Sequence, residues 1–271
     1  ISETWINQIV TPERRAFMLG VYGTALAGGF GLGGLLFAVF STAEVLPFYL
    51  ASAIFLLGII PVALLKGPQA TAPAHEDSSM RAILGAAGSA PAAILAGLAF
   101  GAIETLTFSM LPVYAERIAI DHASIGVMVF AVAMGVLVFQ IPLGWIADRT
   151  GRRNTLLVIA LVATLGPLLV WVAGTRIGWL VPILFIQSGV ASGLYTVGPS
   201  LLGERFTGGR IAAANAAFIF AYGFGSLLSP PAAGVAMDSV GPAGLLVVLA
   251  ASAGAYLLFL AATHLKAARR S

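Results

Sequence analysis

The sequence predicts an all-α integral membrane protein with eight transmembrane helices. Hydrophobic residues make up 59% of the 271 residues and charged residues only 9%, whereas about 25% of the residues in a soluble domain are charged. The mean hydropathy is +0.98, and apolar runs recur at the length of about 20 residues that a helix needs to cross a bilayer. No run alternates polar and apolar residues as a barrel strand would, so helices are expected to satisfy the backbone in lipid.

The apolar runs give the order of the predicted spans. They cover roughly residues 16–40, 44–65, 91–115, 124–147, 155–174, 178–202, 211–236 and 242–264. A long polar stretch separates the second span from the third. We therefore predict a partial N-terminal bundle at residues 1–65, a central linker at residues 66–90 and a C-terminal six-helix bundle at residues 91–271.

The basic residues predict which ends of the spans face the cytoplasm. Of the 14 Lys and Arg residues, only Arg117 and Arg176 lie on one side of the predicted bundle. The others lie in alternate connections or at the C-terminus, and they are Arg14, Arg15, Lys66, Arg81, Arg149, Arg152, Arg153, Arg205, Arg210, Lys266, Arg269 and Arg270. By the positive-inside rule, the linker and the C-terminus are cytoplasmic.

A short charged segment joins the fourth and fifth predicted spans. Its glycines and charged residues are Gly144, Asp148, Arg149, Gly151, Arg152 and Arg153. The segment resembles the G-x-L-A-D-R-x-G-R-R/K loop of major facilitator superfamily transporters, with Ile146 in place of Leu. This resemblance implies a transporter that works by alternating access, and it implies that the loop is a cytoplasmic gate. The alternative is that the arginines only anchor the membrane topology, and for Arg153 this interpretation is as good as the gate. Topology does not require an acid, so the gate is the better interpretation for Asp148.

A repeat and a second resemblance predict where the chain stands in such a transporter. The tripeptide Gly-Phe-Gly occurs at residues 29–31 and again at residues 223–225, each time after arginine and before one further span, so the first two spans correspond to the last two. The segment at residues 3–7 is similar to an E-S-W-[LI]-N sequence at the end of the fourth helix in a bacterial branch of the family. We therefore expect the end of helix 4 and helices 5–12 of a twelve-helix plan, with roughly four N-terminal helices missing. The same resemblance implies a bacterial inner membrane.

Glu104 is the candidate for proton coupling. Of the 11 acidic residues, only Glu104 lies near the middle of a predicted span. A charge there costs about 2.5–3.5 kcal/mol, so carboxylates inside membranes tend to line a cavity and to have a function. The alternative is a protonated Glu104 that is hydrogen-bonded to a neighbouring helix.

Polar residues of the last spans are candidates for a substrate cavity. Asn215, Tyr222 and Ser226 recur at spacings that place them in one stripe of a helix. Gln187 and Tyr195, in the preceding span, are similar candidates. Interhelical hydrogen bonding is the alternative for all five residues.

These patterns favour a small-molecule transporter over other classes. The sequence has no Cys and three scattered His, so we expect no metal and no cofactor. No catalytic constellation indicates an enzyme, and the spread of basic residues through loops does not favour a nucleic-acid partner. The expected partners are the lipid bilayer, a neutral or cationic substrate and protons, with efflux as the activity that the resemblance implies. The alternative is a non-transporting sensor or scaffold with the same fold.

Overall fold

The computed structural model describes residues 2–39, 45–64 and 79–268. Within these ranges the α-helices are α1 (Ser2–Ile9), α2 (Arg15–Val39), α3 (Leu46–Leu64), α4 (Met80–Ser89), α5 (Pro91–Thr105), α6 (Leu111–Arg117), α7 (His122–Thr150), α8 (Arg152–Ala173), α9 (Ile177–Arg205), α10 (Arg210–Val240) and α11 (Gly244–Ala268). The first part of the predicted linker, residues 66–78, lies outside the described residues, as do the basic residues Lys66, Arg269 and Arg270.

Six helices of the described chain are long and apolar enough to cross a membrane. They are Pro91–Arg117, His122–Thr150, Arg152–Ala173, Ile177–Arg205, Arg210–Val240 and Gly244–His264, and each lies where a span was predicted. α2 and α3 overlap the other two predicted spans, which stay predictions. The protein is therefore a multi-pass membrane protein.

The outward faces of the long helices carry the apolar side chains that lipid requires. Trp171 and Val172 on α8 and Leu258 on α11 are well exposed, the last two at 72% each. In water such surface would favour association, whereas in a bilayer it faces lipid.

Close contacts between helix backbones hold the six-helix bundle together. α5 packs against α10, α7 against α9, and α8 against both α9 and α11. A Cβ atom added to Gly101 of α5 would lie 2.1 Å from the carbonyl oxygen of Tyr222, and one added to Gly225 of α10 would lie 2.1 Å from that of Leu98. Glycine at both positions therefore allows the two backbones to touch, which is how membrane helices gain packing energy.

The second part of the predicted linker forms a helix. Ser79 caps α4 by accepting a hydrogen bond from the backbone N–H of Ala82 at 3.2 Å, and Arg205 donates to the carbonyl of Ser89 at the other end of the helix. Capping and a contact with α9 thus stabilise a helix in a segment that hydropathy does not distinguish. The linker at residues 66–90 stays a prediction.

A π-helical segment, Leu106–Met110, interrupts the span between α5 and α6. The backbone N–H of Leu111 donates to the carbonyl of Leu106, five residues earlier. Pro112 follows at once and has no N–H to give to the carbonyl four residues earlier. The hydroxyl of Thr107 also donates to the carbonyl of Ile103 at 2.6 Å. Proline and backbone-bonded hydroxyls are common reasons for a local change of helical register.

Candidate functional site

Glu104 lies at the centre of the 27-residue helix Pro91–Arg117. Its carboxylate oxygen Oε2 accepts a hydrogen bond of 2.6 Å from the hydroxyl of Tyr222 on α10. Because α5 and α10 touch through glycine, the two side chains meet without crossing a gap. A carboxylate at this depth and a neutral donor are thus adjacent near the middle of the bilayer.

A second carboxylate lies close by, and the sequence did not point to it. Glu3 of α1 is only 8% exposed, and its Oε1 accepts a hydrogen bond of 2.6 Å from the hydroxyl of Tyr195 on α9. The next residue, Thr4, accepts a hydrogen bond of 2.8 Å from the amide of Asn215 on α10. Glu3 stands before the first predicted span, in a helix of eight residues, so hydropathy gave no reason to place it inside the bundle.

Aromatic rings fill the space between these two carboxylates. The ring centroids of Tyr195 and Tyr222 are 5.9 Å apart with an interplanar angle of 70°. Phe100 lies 5.4 Å from Tyr195 and 6.0 Å from Tyr222, and Phe218 lies 5.6 Å from Tyr195. We call these four rings with Glu3 and Glu104 the tyrosine–carboxylate cluster. It combines residues of α1, α5, α9 and α10.

The structure brings some of the predicted cavity residues together and separates others. Tyr195 and Tyr222 belong to the tyrosine–carboxylate cluster, and Asn215 borders it through Thr4. Ser226 lies one turn beyond Tyr222 and donates to the carbonyl of Gly101 at 3.2 Å, so it bonds one helix to another. Gln187 packs against Gly166 of α8, about 12 Å along α9 from Tyr195.

A second group of polar residues lies where α7 ends and α8 begins. One residue, Gly151, connects the two helices, with φ +93° and ψ 127°. Residues other than glycine rarely adopt this φ because their Cβ atom collides with the backbone. The glycine of the predicted loop thus makes the sharp reversal that brings Asp148 and Arg152 together.

Asp148 binds the first turn of α2. Its two carboxylate oxygens accept hydrogen bonds from the backbone N–H groups of Ala16 at 3.2 Å and Phe17 at 2.8 Å. The first N–H groups of a helix have no partner within the helix and lie at the positive end of its dipole, so an anion there is stabilising. The Asp148 side chain is only 4% exposed, which strengthens these contacts.

Arg152 completes the contact between the two segments. Its guanidinium donates to Asp148 at 3.0 Å, to the Glu204 carboxylate of α9 and to the carbonyl of Pro12 just before α2. The arginine is 7% exposed. We call Asp148, Arg152, Glu204 and the first turn of α2 the charged junction.

Gly144 lies one turn before Asp148 and lets α7 approach α2. A Cβ atom added to Gly144 would lie 2.3 Å from the carbonyl oxygen of Ala16 and 2.9 Å from the Cα of Phe17. These are backbone atoms, which cannot move aside as the end of a side chain can.

The other two arginines of the loop make weaker contacts. The guanidinium of Arg149 lies 3.9 Å from the centre of the Trp145 ring, a cation–π contact at the surface. Arg153 faces a polar cavity between α5, α8, α9 and α11, together with Arg152, Glu204 and Arg205. Neither of the two contacts α2 through a hydrogen bond in the described part of the chain.

The fold and these two groups of residues define a class: a helical membrane protein with a polar cluster at mid-membrane depth and a charged junction at one end. Comparison with known proteins agrees with this class. The family model of the Major Facilitator Superfamily matches residues 92–270. The chain therefore belongs to the Major Facilitator Superfamily of transporters, a family of carriers rather than enzymes.

Two bacterial relatives are uncharacterized transporters of this type. YfkF of Bacillus subtilis (strain 168) is 29% identical over 249 residues, covering 90% of this chain and 63% of YfkF. YcaD of Shigella flexneri serotype 5b (strain 8401) is 28% identical over 255 residues, covering 92% of this chain and 64% of YcaD. This chain thus spans less than two thirds of the length of either relative.

A solved structure shares the fold. The crystal structure of the transporter FucP in the outward conformation superposes with a TM-score of 0.78 and 19% identity, covering 96% of this chain and 70% of FucP. A structure of a variant of the same E. coli fucose:proton symporter gives a TM-score of 0.77 and 20% identity, covering 96% of this chain and 71% of that one. The likeness therefore extends beyond the six-helix bundle into the N-terminal part of the chain.

Proposed function

We propose that this chain is the larger part of a twelve-helix secondary transporter. In this proposal α1 ends the fourth helix, α2 and α3 are the fifth and sixth spans, and the six membrane-length helices form the C-terminal bundle after the linker at residues 66–90. The relatives support it, since this chain covers only 63% of YfkF and 64% of YcaD.

The upstream sequence tests this architecture. We expect the coding sequence before Ile1 to contain about four further apolar runs of about 20 residues, with a second acid-and-arginine loop between the second and third. A stop codon, or an upstream stretch without apolar runs, would refute the twelve-helix plan.

The proposed activity is proton-coupled efflux of a small neutral or cationic molecule by alternating access. The observation that carries it is the hydrogen bond of 2.6 Å between Tyr222 and Glu104 at the centre of a membrane-length helix. Proton binding would remove the charge of Glu104 and with it the strongest acceptor for the Tyr222 hydroxyl. A protonation change at Glu104 thereby alters a contact between α5 and α10 beside the proposed substrate cavity.

The charged residues at the membrane depth of Glu104 support a neutral or cationic substrate. In the described chain, each Lys or Arg of the membrane-length helices lies in the first or last turn of its helix. An anionic substrate would need a cation or a helix N-terminus at the midplane. The carboxylates of Glu3 and Glu104 favour neutral or positively charged substrates instead.

We propose that the charged junction is a gate. Its hydrogen bonds join α2 to α7 and the residue Pro12, just before α2, to α8. In this proposal α2 belongs to the N-terminal bundle, and α7 and α8 belong to the C-terminal bundle. Rocking of one bundle against the other at this end requires these bonds to break and re-form. The positive-inside rule supports a cytoplasmic position for the junction, the linker and the C-terminus, and the bacterial relatives support the bacterial inner membrane.

Glu104→Gln tests the proton coupling. The unaltered transporter should change its rate by up to about tenfold per pH unit where Glu104 titrates, and the variant should lose the response to a pH gradient because glutamine has the same shape but takes up no proton. The measurement is uptake into proteoliposomes with and without an imposed gradient. The groups that face Glu104 are Tyr222 on α10 and, beyond the rings, Tyr195 and Glu3.

Glu116→Gln is the matched control, because Glu116 is an exposed residue near the end of the same span. It should transport as the unaltered protein does. Unchanged proton-driven flux in Glu104→Gln would refute the coupling role. Substrate binding without any flux in the unaltered protein would favour a sensor or scaffold.

A further inference from the structure

We propose that a basic cavity at one end of the six-helix bundle binds the phosphate group of an anionic phospholipid. The cavity has a volume of about 350 Å³ and lies between the starts of α5 and α8, the end of α9 and the last turns of α11. We call it the arginine cavity, because Arg152, Arg153 and Arg205 line it. This site goes beyond the proposed transport activity and does not depend on it.

The charges of the arginine cavity favour an anion. Among the residues that line it, three arginines stand against one acid, Glu204. The Glu204 carboxylate accepts a hydrogen bond from Arg152, which also pairs with Asp148. Arg153 and Arg205 have no ion-pair partner among the described residues. A negative ligand charge is therefore the partner that these two guanidinium groups lack, and their planar donors match the oxygens of a phosphate.

Two arginines of the cavity each have a buried N–H group without an acceptor. The Nε atoms of Arg152 and Arg153 are buried and have no hydrogen-bond partner in the described chain. Arg152 is 7% exposed as a whole, and its bonds within the charged junction use only Nη1 and Nη2. Buried donors are nearly always satisfied in native proteins, and leaving a charged one unpaired is costly. Phosphate oxygens are strong acceptors for such groups.

Two helices begin at the arginine cavity. Residues 91–93, in the first turn of α5, and residues 152–154, in the first turn of α8, line it. No side chain of the described chain caps either helix, whose N-caps are Ala90 and Gly151. The first N–H groups of a helix lie at the positive end of its dipole and form a ready site for an anion. The two helix starts thus add to the positive potential of the arginines.

A second, apolar cavity follows the arginine cavity along the same two helices, α5 and α11. It has a volume of about 330 Å³, and α10 closes its third side. On α11, Ser252 and Tyr256 line the apolar cavity, whereas Phe259 and Thr263 line the arginine cavity. Residues at these spacings lie on one face of a helix. The two cavities therefore follow one another along a single face of α11.

The apolar cavity reaches the lipid-facing surface, which favours a phospholipid over a free phosphate. Leu98, Phe224 and Leu228 line it and are 37%, 55% and 61% exposed. The two linings together extend from Val248 to Thr263, about 22 Å along α11 and longer than half of the roughly 30 Å hydrocarbon core. A phospholipid with its phosphate in the arginine cavity can lay an acyl chain along this path. Basic cavities between membrane helices bind lipid head groups in this way.

The experiment compares three probes by native mass spectrometry of the complete transporter in detergent. Dioleoylphosphatidylglycerol and dioleoylphosphatidylcholine have the same acyl chains and phosphate, but choline cancels the negative charge of the second lipid. Glycerol phosphate has the phosphate without acyl chains. The dissociation constant of the one-to-one complex is measured for each probe.

We expect phosphatidylglycerol to bind at least about fivefold more tightly than either other probe. Arg153→Gln should weaken phosphatidylglycerol binding by about fivefold, the contribution of one basic residue to the binding of an anionic lipid. Phosphatidylcholine binding should change little, which also shows that the variant is folded. Arg205→Gln, at an exposed position, should cause a similar loss and gives a second test on another helix.

Arg210→Gln is the matched control. Arg210 is exposed and starts α10 at the same end of the bundle, but it does not line the cavity. This variant should bind all three probes as the unaltered protein does.

Three outcomes would overturn the proposal. Equal affinities for the two lipids would overturn the anion site. An equal loss in Arg153→Gln and Arg210→Gln would show general attraction to a basic surface instead of a built site. Glycerol phosphate that binds as tightly as phosphatidylglycerol would overturn the phospholipid as the ligand. Because binding is measured in detergent without a gradient, failure of the Glu104→Gln transport test would leave this site intact.

Discussion

Replacing Gly144 with valine is expected to hold the ends of α2 and α7 apart and to stop transport. The added Cβ would lie 2.3 Å from the carbonyl oxygen of Ala16, well inside van der Waals contact, and the opposing atoms belong to the backbone. Overpacking of this kind costs about 1–3 kcal/mol, which shifts an equilibrium between two conformations by about 5- to 150-fold. The junction cannot close in the variant, so substrate flux should fall by at least that factor.

Spin labels on either side of the junction measure this opening. Arg14, just before α2, and Asn154, in the first turn of α8, are both exposed and accept introduced cysteines. The distance distribution between the labels should move to longer values in Gly144→Val. Gly126→Val is the control, since Gly126 lies on the same helix with no atom within 4 Å of its added Cβ. Normal flux and unchanged distances in Gly144→Val would contradict the gate.

Replacing Asp148 with alanine should open the junction by removing charge rather than by adding bulk. The variant removes one of the two carboxylates that pair with the buried Arg152, the one at 3.0 Å, and Glu204 remains. It also leaves the N–H groups of Ala16 and Phe17 without acceptors. Each buried donor that is left without an acceptor costs about 1–3 kcal/mol. We expect a loss of flux of at least about 100-fold, longer distances between the same labels and a lower temperature of unfolding.

Asp238→Ala is the matched control for this change. Asp238 pairs with Arg117 at 3.0 Å, but its side chain is 72% exposed, and an exposed pair contributes only about 0–1 kcal/mol. Flux and unfolding temperature should both remain close to those of the unaltered protein. The gate assignment fails if Asp148→Ala behaves as Asp238→Ala does.

Hydropathy was enough to locate the long helices. Each of the six membrane-length helices lies where an apolar run was predicted, because a span must be continuously apolar for about 20 residues and its ends are marked by charge. Hydropathy did not find α4 or the π-helical segment Leu106–Met110. These depend on a cap at Ser79 and on the missing N–H of Pro112, which are local effects.

Which side chains meet was harder to predict from the sequence. It singled out Glu104, Tyr222 and Tyr195, which the structure places in one cluster, but periodicity cannot tell which helix a polar stripe faces when the whole helix is apolar. In the structure, Ser226 donates a hydrogen bond to α5, and Gln187 packs against α8. Glu3 was not predicted as a site residue. Its burial depends on the packing of α1 against α9 and α10, which lie about 190–210 residues later in the sequence.

The π-helical segment at Leu106–Met110 has a consequence for how this span is compared with others. A π turn holds one residue more than an α turn, so the residues after Met110 are displaced by about 100° from where a continuous α-helix would place them. Glu104 and the buried Tyr114 therefore do not share one α-helical phase, although they lie in the same span. Sequences that lack the extra residue would align with this span on one side of Met110 and be out of phase on the other. A helical wheel drawn through all of Pro91–Arg117 would assign wrong faces to the residues after Met110.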